Sequence, residues 1–404
     1  MRRLLSHSQS QCALVSLSPV RSTTPFYRDV RVLRVLAQIA FVAFVLLAGW
    51  FLWNNMTRGL ARVGGTFSFA FLENAASFAL SETSLPYNPA TDSYLYAFFI
   101  GALNTLRVVI VGIVLTTLLG LGAGIARLSS NWLIAKIAQV YVEIFRNTPL
   151  LIQLFFWYFV GILKLPRVRE SIALPGGIYL SNRGLAVPWF TPNETFTVWL
   201  AAAGIGIVVA FVLYKLLART TTPLLYEWRG VWAMLLWLAM AFISASVLNP
   251  FTSSVPERGN FNFRGGTILS PEYAALLLGL VVYTGAFIAE IVRAGIQAVP
   301  RGLSEASRAL GLTYVQTLRL ITIPLALRVI IPPLTNQYLN LAKNSSLAIA
   351  VGYADLFYVS NTIFNQTGQT LQVILMIMLA YLAQSLVLAA VMNGVNARFK
   401  LVER

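Results

Sequence analysis

Long apolar runs alternate with short polar connections along nearly the whole chain, and each run is long enough to cross a bilayer. Eight spans are predicted, at about 32–53, 96–126, 137–163, 196–217, 231–248, 272–296, 325–351 and 371–395. The first run is too long for the apolar core of a signal peptide and lacks an obvious small-residue cleavage site. Arg2 and Arg3 therefore read as part of a tail over 1–31, not as a leader. Between the spans, 54–95 reads as an external loop and 164–194 and 249–270 as polar loops.

One connection is neither simple loop nor span. Residues 302–324 lie between two apolar runs yet carry Glu305, Arg308, Gln316 and Arg319, so they stay out of hydrocarbon. Leu303, Ala306 and Leu310 fall at i, i+3 and i+7, one narrow apolar face of a short helix, with Glu305 and Arg308 an i, i+3 pair beside it. Gly311 stops that helix, because glycine takes the left-handed conformation at little cost. Thr313 and Gln316 have capping-box spacing, so a second short helix follows to about Leu320, before Pro324 opens the next span.

Composition agrees with the pattern: 57% of the 404 residues are hydrophobic and 11% charged, with a mean hydropathy of +0.72. The net charge of +16 is scattered between apolar runs, which marks topology instead of nucleic-acid binding. With eight spans both termini share one side. That side receives Arg127, Lys136, Lys215, Arg219, Arg229, Arg293, Arg301, Arg308, Arg319 and the cluster Arg398, Lys400 and Arg404, so it is the cytoplasm. Lys164, Arg167, Arg169 and Arg183 fall on the outer side, against the rule. The lone Cys12 and the lone His7 lie in the tail, which leaves no disulfide, no cysteine or histidine metal cluster and no His-based triad in the body. The chain has no Walker-type phosphate loop, so any nucleotide chemistry belongs to a partner.

Inside the seventh span Asn336, Asn340, Lys343 and Asn344 recur at helical spacing, a polar stripe on an apolar helix, above Pro332 and Pro333, which should kink it. A lysine there costs roughly 2.5–3.5 kcal/mol on insertion scales, so Lys343 is expected to face a polar cavity or a partner. The plainer alternative is snorkelling or a carboxylate pair. In the third span Glu143 and Arg146 are spaced to pair, and Pro149 interrupts the ladder just above. Glu143 and Glu290, each with an arginine three residues on, read either as clamps between helices or as pathway groups.

Glu305-Ala306-Ser307, three residues, Gly311, nine residues and Ile321-Thr322-Ile323-Pro324 resemble the EAA loop of ABC-importer permeases; Ser307 and Ile323 depart from its alanine and leucine. The segments 141–156, 289–296 and 341–347, the last containing Lys343, Asn344 and Ser345, resemble the polar-amino-acid subfamily. The length and the insertions are most like the larger permease subunit of general L-amino-acid importers. The resemblance implies an all-α integral membrane fold, a type I importer core with an inserted pair of helices. Its core parts would be 96–163 and 271–404, the insertion 164–270, and the first span with its loop 32–95. It implies a coupling role for Glu305, Ala306, Arg308, Gly311 and Pro324. It also implies a second permease subunit, ATPase subunits that bind ATP, a periplasmic binding protein, L-amino-acid substrates and a bacterial inner membrane. Two rivals stand beside it: an ion-coupled secondary transporter, which usually shows inverted repeats and membrane-embedded carboxylates, and a lipid-modifying membrane enzyme, which needs a catalytic constellation.

Overall fold

The computed structural model describes residues 30–62, 67–220, 222, 226 and 228–399. The tail read over 1–29, with His7 and Cys12, and the basic residues Lys400 and Arg404 lie outside the described residues. The chain divides into two units, 1–69 and 70–404. The first holds α1 (Val30–Arg62), a 33-residue apolar helix whose Phe44, Leu46 and Trp50 all point outward.

The second unit opens with α2 (Tyr94–Ala126), capped by Ser93, whose hydroxyl accepts from the Tyr96 amide. The predicted third span is not one helix. It is α3 (Trp132–Asn147), then α4 (Leu150–Phe155), which widens into a π turn over Phe156–Ile162. Pro149 drives the residue before it out of the helical region, and Thr148 is extended. Gln153 bridges the break, its amide donating to the carbonyls of Phe145 and Thr148 at 2.9 Å each.

Next come α5 (Phe196–Leu217), α6 (Arg229–Leu248), α7 (Pro271–Gln297), α8 (Arg301–Ala309) and α9 (Tyr314–Thr317). Then α10 (Ile323–Asn344), α11 (Leu356–Thr367) and α12 (Thr370–Phe399) complete the chain. Seven helices among the described residues are long and apolar enough to cross a membrane, with Leu150–Ile162 a shorter apolar one. Together they correspond to the eight predicted runs.

The segments read as polar loops in 164–270 are instead strand-forming. β1 (Ile172–Leu174), β2 (Ile178–Ser181) and β3 (Gly184–Val187) form an antiparallel sheet with β8 (Thr267–Leu269), in the order β1-β2-β3-β8. β4 (Trp189–Pro192) pairs with β5 (Phe251–Ser254), and β6 (Glu257–Arg258) with β7 (Phe263–Arg264). Strands from either side of the α5–α6 hairpin thus close one module at its base. The hairpin is held by its own groups: the Trp199 indole donates to the Ala241 carbonyl at 3.1 Å and Trp237 to Ala203 at 3.2 Å.

The core is the crossing of α2 on α7, with α10 packed against α7 as well. Gly120 and Gly124 permit it, since a Cβ at Gly120 would lie 2.5 Å from Ile288 Cγ2 and one at Gly124 2.7 Å from the Ala289 carbonyl oxygen. Without a hydrophobic drive between helices in lipid, such close backbone approach is what holds them.

Candidate functional site

The surface connection is a rigid joint. α8 ends in a Schellman turn: Gly311 has φ +78°, its amide donates to the Arg308 carbonyl, and the Leu312 amide reaches back to Ser307. α9 starts with the predicted capping box, in which Thr313 and Gln316 each bond the other's backbone. Ser307 and Thr317, both buried, lock the two helices through a hydroxyl pair at 2.8 Å. The Ser307 hydroxyl also donates to the Ser304 carbonyl, so Thr317 is the donor of the pair.

The second helix does not stop before Pro324. α9 runs through a π turn (Leu318–Thr322) directly into α10, with Pro324 in its first turn. A proline has no amide and crowds the carbonyl four residues back, and the wider turn accommodates both. α9 and α10 are thus continuous in backbone.

Glu305, Ala306 and Arg308 are all exposed. The predicted Glu305–Arg308 pair is absent from the ion pairs among the described residues; on a solvated surface helix an i, i+3 pair gains too little to fix two long side chains. The predicted apolar face also points outward: Leu310 is 82% exposed, and Tyr314 and Val315 of α9 extend it at 72% and 68%. An exposed apolar surface of this kind, rimmed by charge, has the character of an interaction surface.

In α10 the polar stripe lies on the open face. Pro332, Asn336, Asn340 and Lys343 are exposed, while Ile330, Ile331, Tyr338, Leu341 and Ala342 are buried opposite. The helix continues through Pro332 and Pro333 without a break. No carboxylate pairs with Lys343 among the described residues. Asn344 is half-buried, and Ser345 leaves the stripe altogether: it is buried, its hydroxyl donating to the Ala342 carbonyl at 2.8 Å as the helix tightens.

The predicted Glu143–Arg146 pair is replaced by a cross-helix knot. Glu143 accepts instead from Gln139, one turn earlier, at 2.6 Å. Arg146 turns to α7, 3.9 Å from Glu290 and over the Phe287 ring. Glu290 also takes Arg293 at 2.5 Å and Arg127 from the end of α2. One half-buried carboxylate thus gathers three guanidinium groups from α2, α3 and α7, where a local pair would leave Glu290 with fewer partners.

Several residues that organise these contacts escape the sequence reading. Arg127 reads there only as a topology signal and Ser307 only as a small departure from alanine. At the opposite end of α2, Asn104 is fully buried and bonds the carbonyls of Glu82 and Ala354. Glu82 accepts from Arg107 at 2.5 Å and from Ser270 at 2.6 Å. Residues of the predicted external loop are thereby tied to α2 and α7. Asp355 is buried beside them, capping α11 through the Tyr358 amide and accepting from the Tyr381 hydroxyl. Burial pushes its carboxyl up to about 7. Apart from the Tyr358 cap, these partners are 22 to 250 positions apart in sequence, and no local periodicity marks them.

The chain is similar to known proteins. Residues 116–401 match the family described as "Binding-protein-dependent transport system inner membrane component". The chain is 42% identical over 388 residues to the general L-amino acid transport system permease protein AapQ of Rhizobium johnstonii, covering 94% of each. It is 44% identical over 370 residues to the putative amino-acid ABC transporter permease protein YhdX of Escherichia coli, covering 91% of this chain and 93% of the relative. Against the glutamate/glutamine/aspartate/asparagine transport system permease protein BztB of Rhodobacter capsulatus, identity is 37% over 413 residues, with 93% and 96% covered.

Proposed function

Because this chain belongs to the family of binding-protein-dependent transport system inner membrane components, and so is a transport permease subunit and not an enzyme, we propose that it forms one membrane half of an ATP-driven importer of L-amino acids. It pairs with a second permease subunit in a bacterial inner membrane, with lipid around both. ATPase subunits bind ATP on the cytoplasmic side, and a soluble binding protein delivers the amino acid on the other. Both termini lie in the cytoplasm by the distribution of basic residues.

The joint of α8 and α9 carries the reading. Its exposed apolar and charged side, with Leu303, Glu305, Ala306, Arg308 and Leu310, is the surface an ATPase grips. The Gly311 turn and the Ser307–Thr317 bond make the two helices one lever. The unbroken passage through Pro324 hands the movement to the stripe of Asn336, Asn340, Lys343 and Asn344. At the near end of α7 the knot of Glu290 with Arg127, Arg146 and Arg293 holds α2 and α3 to the same moving end, while Glu143 stays at its rim. Closing of the ATPases then alternates the stripe between outward and inward access. Of the chain's parts, 96–163 and 271–404 serve as the permease core, 302–324 as the coupling loop, and 164–270 as an added module.

Gly311→Val tests it. A β-branched residue at φ +78° is strained by about 1–2 kcal/mol, although open space surrounds the position. The variant is expected to reach the membrane at normal level and lose ATP-dependent uptake in proteoliposomes. Normal uptake refutes the lever. Independently, a Glu305→Cys variant lacking Cys12 should resist membrane-impermeant maleimide in intact cells; labelling from outside puts the loop beyond reach of any ATPase.

A further inference from the structure

The strand module carries a basic cleft that the transport reading leaves unused. We propose that this cleft is a docking seat for the soluble binding protein, which presents a carboxylate-rich face to Arg167, Arg169 and Arg183. This rests on the importer reading above.

The cleft has a volume of about 630 Å³ and is lined by those three arginines, Asn182, Asn260 and Phe261, with Glu170 as its one carboxylate. None of the three guanidinium groups joins an ion pair among the described residues; Arg169 donates only to the Asn260 side-chain oxygen, at 3.0 Å. The nearby Arg258 shows what a structural arginine looks like here. It bonds Ser171 twice, at 3.0 and 2.7 Å, and lies over the Tyr179 ring. Arg167 and Arg183 make no such side-chain contacts among the described residues.

Topology gives the side. β8 runs straight into α7, and α7 ends four residues before α8 begins. Its 27 residues put the module about 40 Å from the coupling helices, across the bilayer from any ATPase. Arginines and lysines on that side run against the positive-inside rule, so they need a reason other than topology. Lys164, also exposed, adds to the same field.

A protein face fits better than a small anion. The arginines are exposed, so a single small carboxylate would be screened by water, whereas several weak pairs over a wide surface steer and orient a large partner. Phe261, 82% exposed on the β6–β7 turn, supplies the aromatic anchor that accompanies arginine at protein interfaces. The seat is preformed: Val168, Ala186 and Phe263 pack beneath it, and Tyr179 stacks on Phe263 with ring centres 5.7 Å apart.

The test uses the complete importer in lipid nanodiscs and the amino-acid-loaded binding protein that stimulates its ATPase. Arg167→Glu, Arg169→Glu and Arg183→Glu are combined, beside a triple Gln variant. The binding-protein concentration giving half-maximal ATPase should rise about tenfold or more in the Glu variant and less in the Gln variant. The gap should narrow at high salt, with basal and maximal rates unchanged. A half-saturation point equal to that of the unmodified assembly in either variant that assembles overturns the proposal. So does loss of binding to free glutamate or to vesicles of anionic lipid with half-saturation unmoved, because the cleft then serves those occupants. Absence of stimulation in the unmodified assembly is a separate result, which refutes the importer reading itself.

Discussion

α7 and the α5–α6 hairpin are alike in length and apolar content, yet they live in different surroundings. Of the most apolar stretch of α7, 61% is buried within the protein; the figures are 17% for α5 and 0% for α6. The difference lies in the small residues, not in the large ones. Gly120 and Gly124 of α2, and Gly279, Gly285 and Gly295 of α7, each sit where a Cβ would collide with a neighbouring helix, whereas in the hairpin Gly204 and Gly230 face open space and Gly206 alone meets the partner helix, with Trp237 at 3.3 Å. Apolar content therefore decides that a segment crosses the bilayer, and close-approach positions decide what it packs against.

Paired substitutions break or sustain that contrast most directly. Gly120→Val puts a side chain where the Ile288 methyl already lies at 2.5 Å, and should cost about 1–3 kcal/mol or more, with loss of folded protein on extraction. Gly204→Val should stay within about 0.5 kcal/mol in thermal unfolding in the same detergent. Equal damage from Gly204→Val would mean that the hairpin is packed as tightly as the core.

A second, smaller effect comes from a buried carboxyl in the core half, that of Asp355. The folded carboxyl of Asp355 titrates near 7, raised from its ordinary 3.8 by burial. Between those values the unfolded chain has lost the proton and the folded one keeps it, so stability is full below about 4 and falls as pH rises through about 7. Asp355→Asn keeps a capping oxygen for α11 and cannot ionise. The difference in melting temperature, variant minus parent, should grow by a few degrees from pH 4 to pH 8. A flat difference would show that the carboxyl is ionised throughout. No buried carboxylate is described in the α5–α6 hairpin.

Much of this organisation is legible in the chain itself. Spans were visible because a bilayer demands some twenty apolar residues in a row, and the coupling turn because Gly311 and the Thr313–Gln316 box are local devices. The strand module was not. Its strands are only two to four residues long, and two of its pairings, β3 with β8 and β4 with β5, reach across the whole hairpin, as in Leu185 opposite Leu269, so they look like loop in a local window. The broken third span followed from Pro149, yet its bridge, Gln153, needs the fold to be recognised. The Glu143–Arg146 pair failed for a related reason: local spacing offers a partner, and a neighbouring helix offers Glu290.

The smallest predicted change in energy separates the two regions most sharply. Ser307→Ala removes the hydroxyl bond between α8 and α9, and Trp237→Phe removes the indole bond that ties α6 to α5. Ser307→Ala deletes that bond and the hydroxyl's own bond to the Ser304 carbonyl, Trp237→Phe a single bond; at about 1 kcal/mol apiece, melting temperatures should shift little in either. Their effects on transport should differ. Without its pin the α8–α9 lever yields before α10 moves, so Ser307→Ala should raise the ATP hydrolysed per amino acid imported several-fold. Trp237→Phe should leave that ratio where it is, because the hairpin lies off the line from Glu305 to Lys343. If the two variants waste ATP equally, force passes through the hairpin as well, and the division between a working core and an added module is wrong.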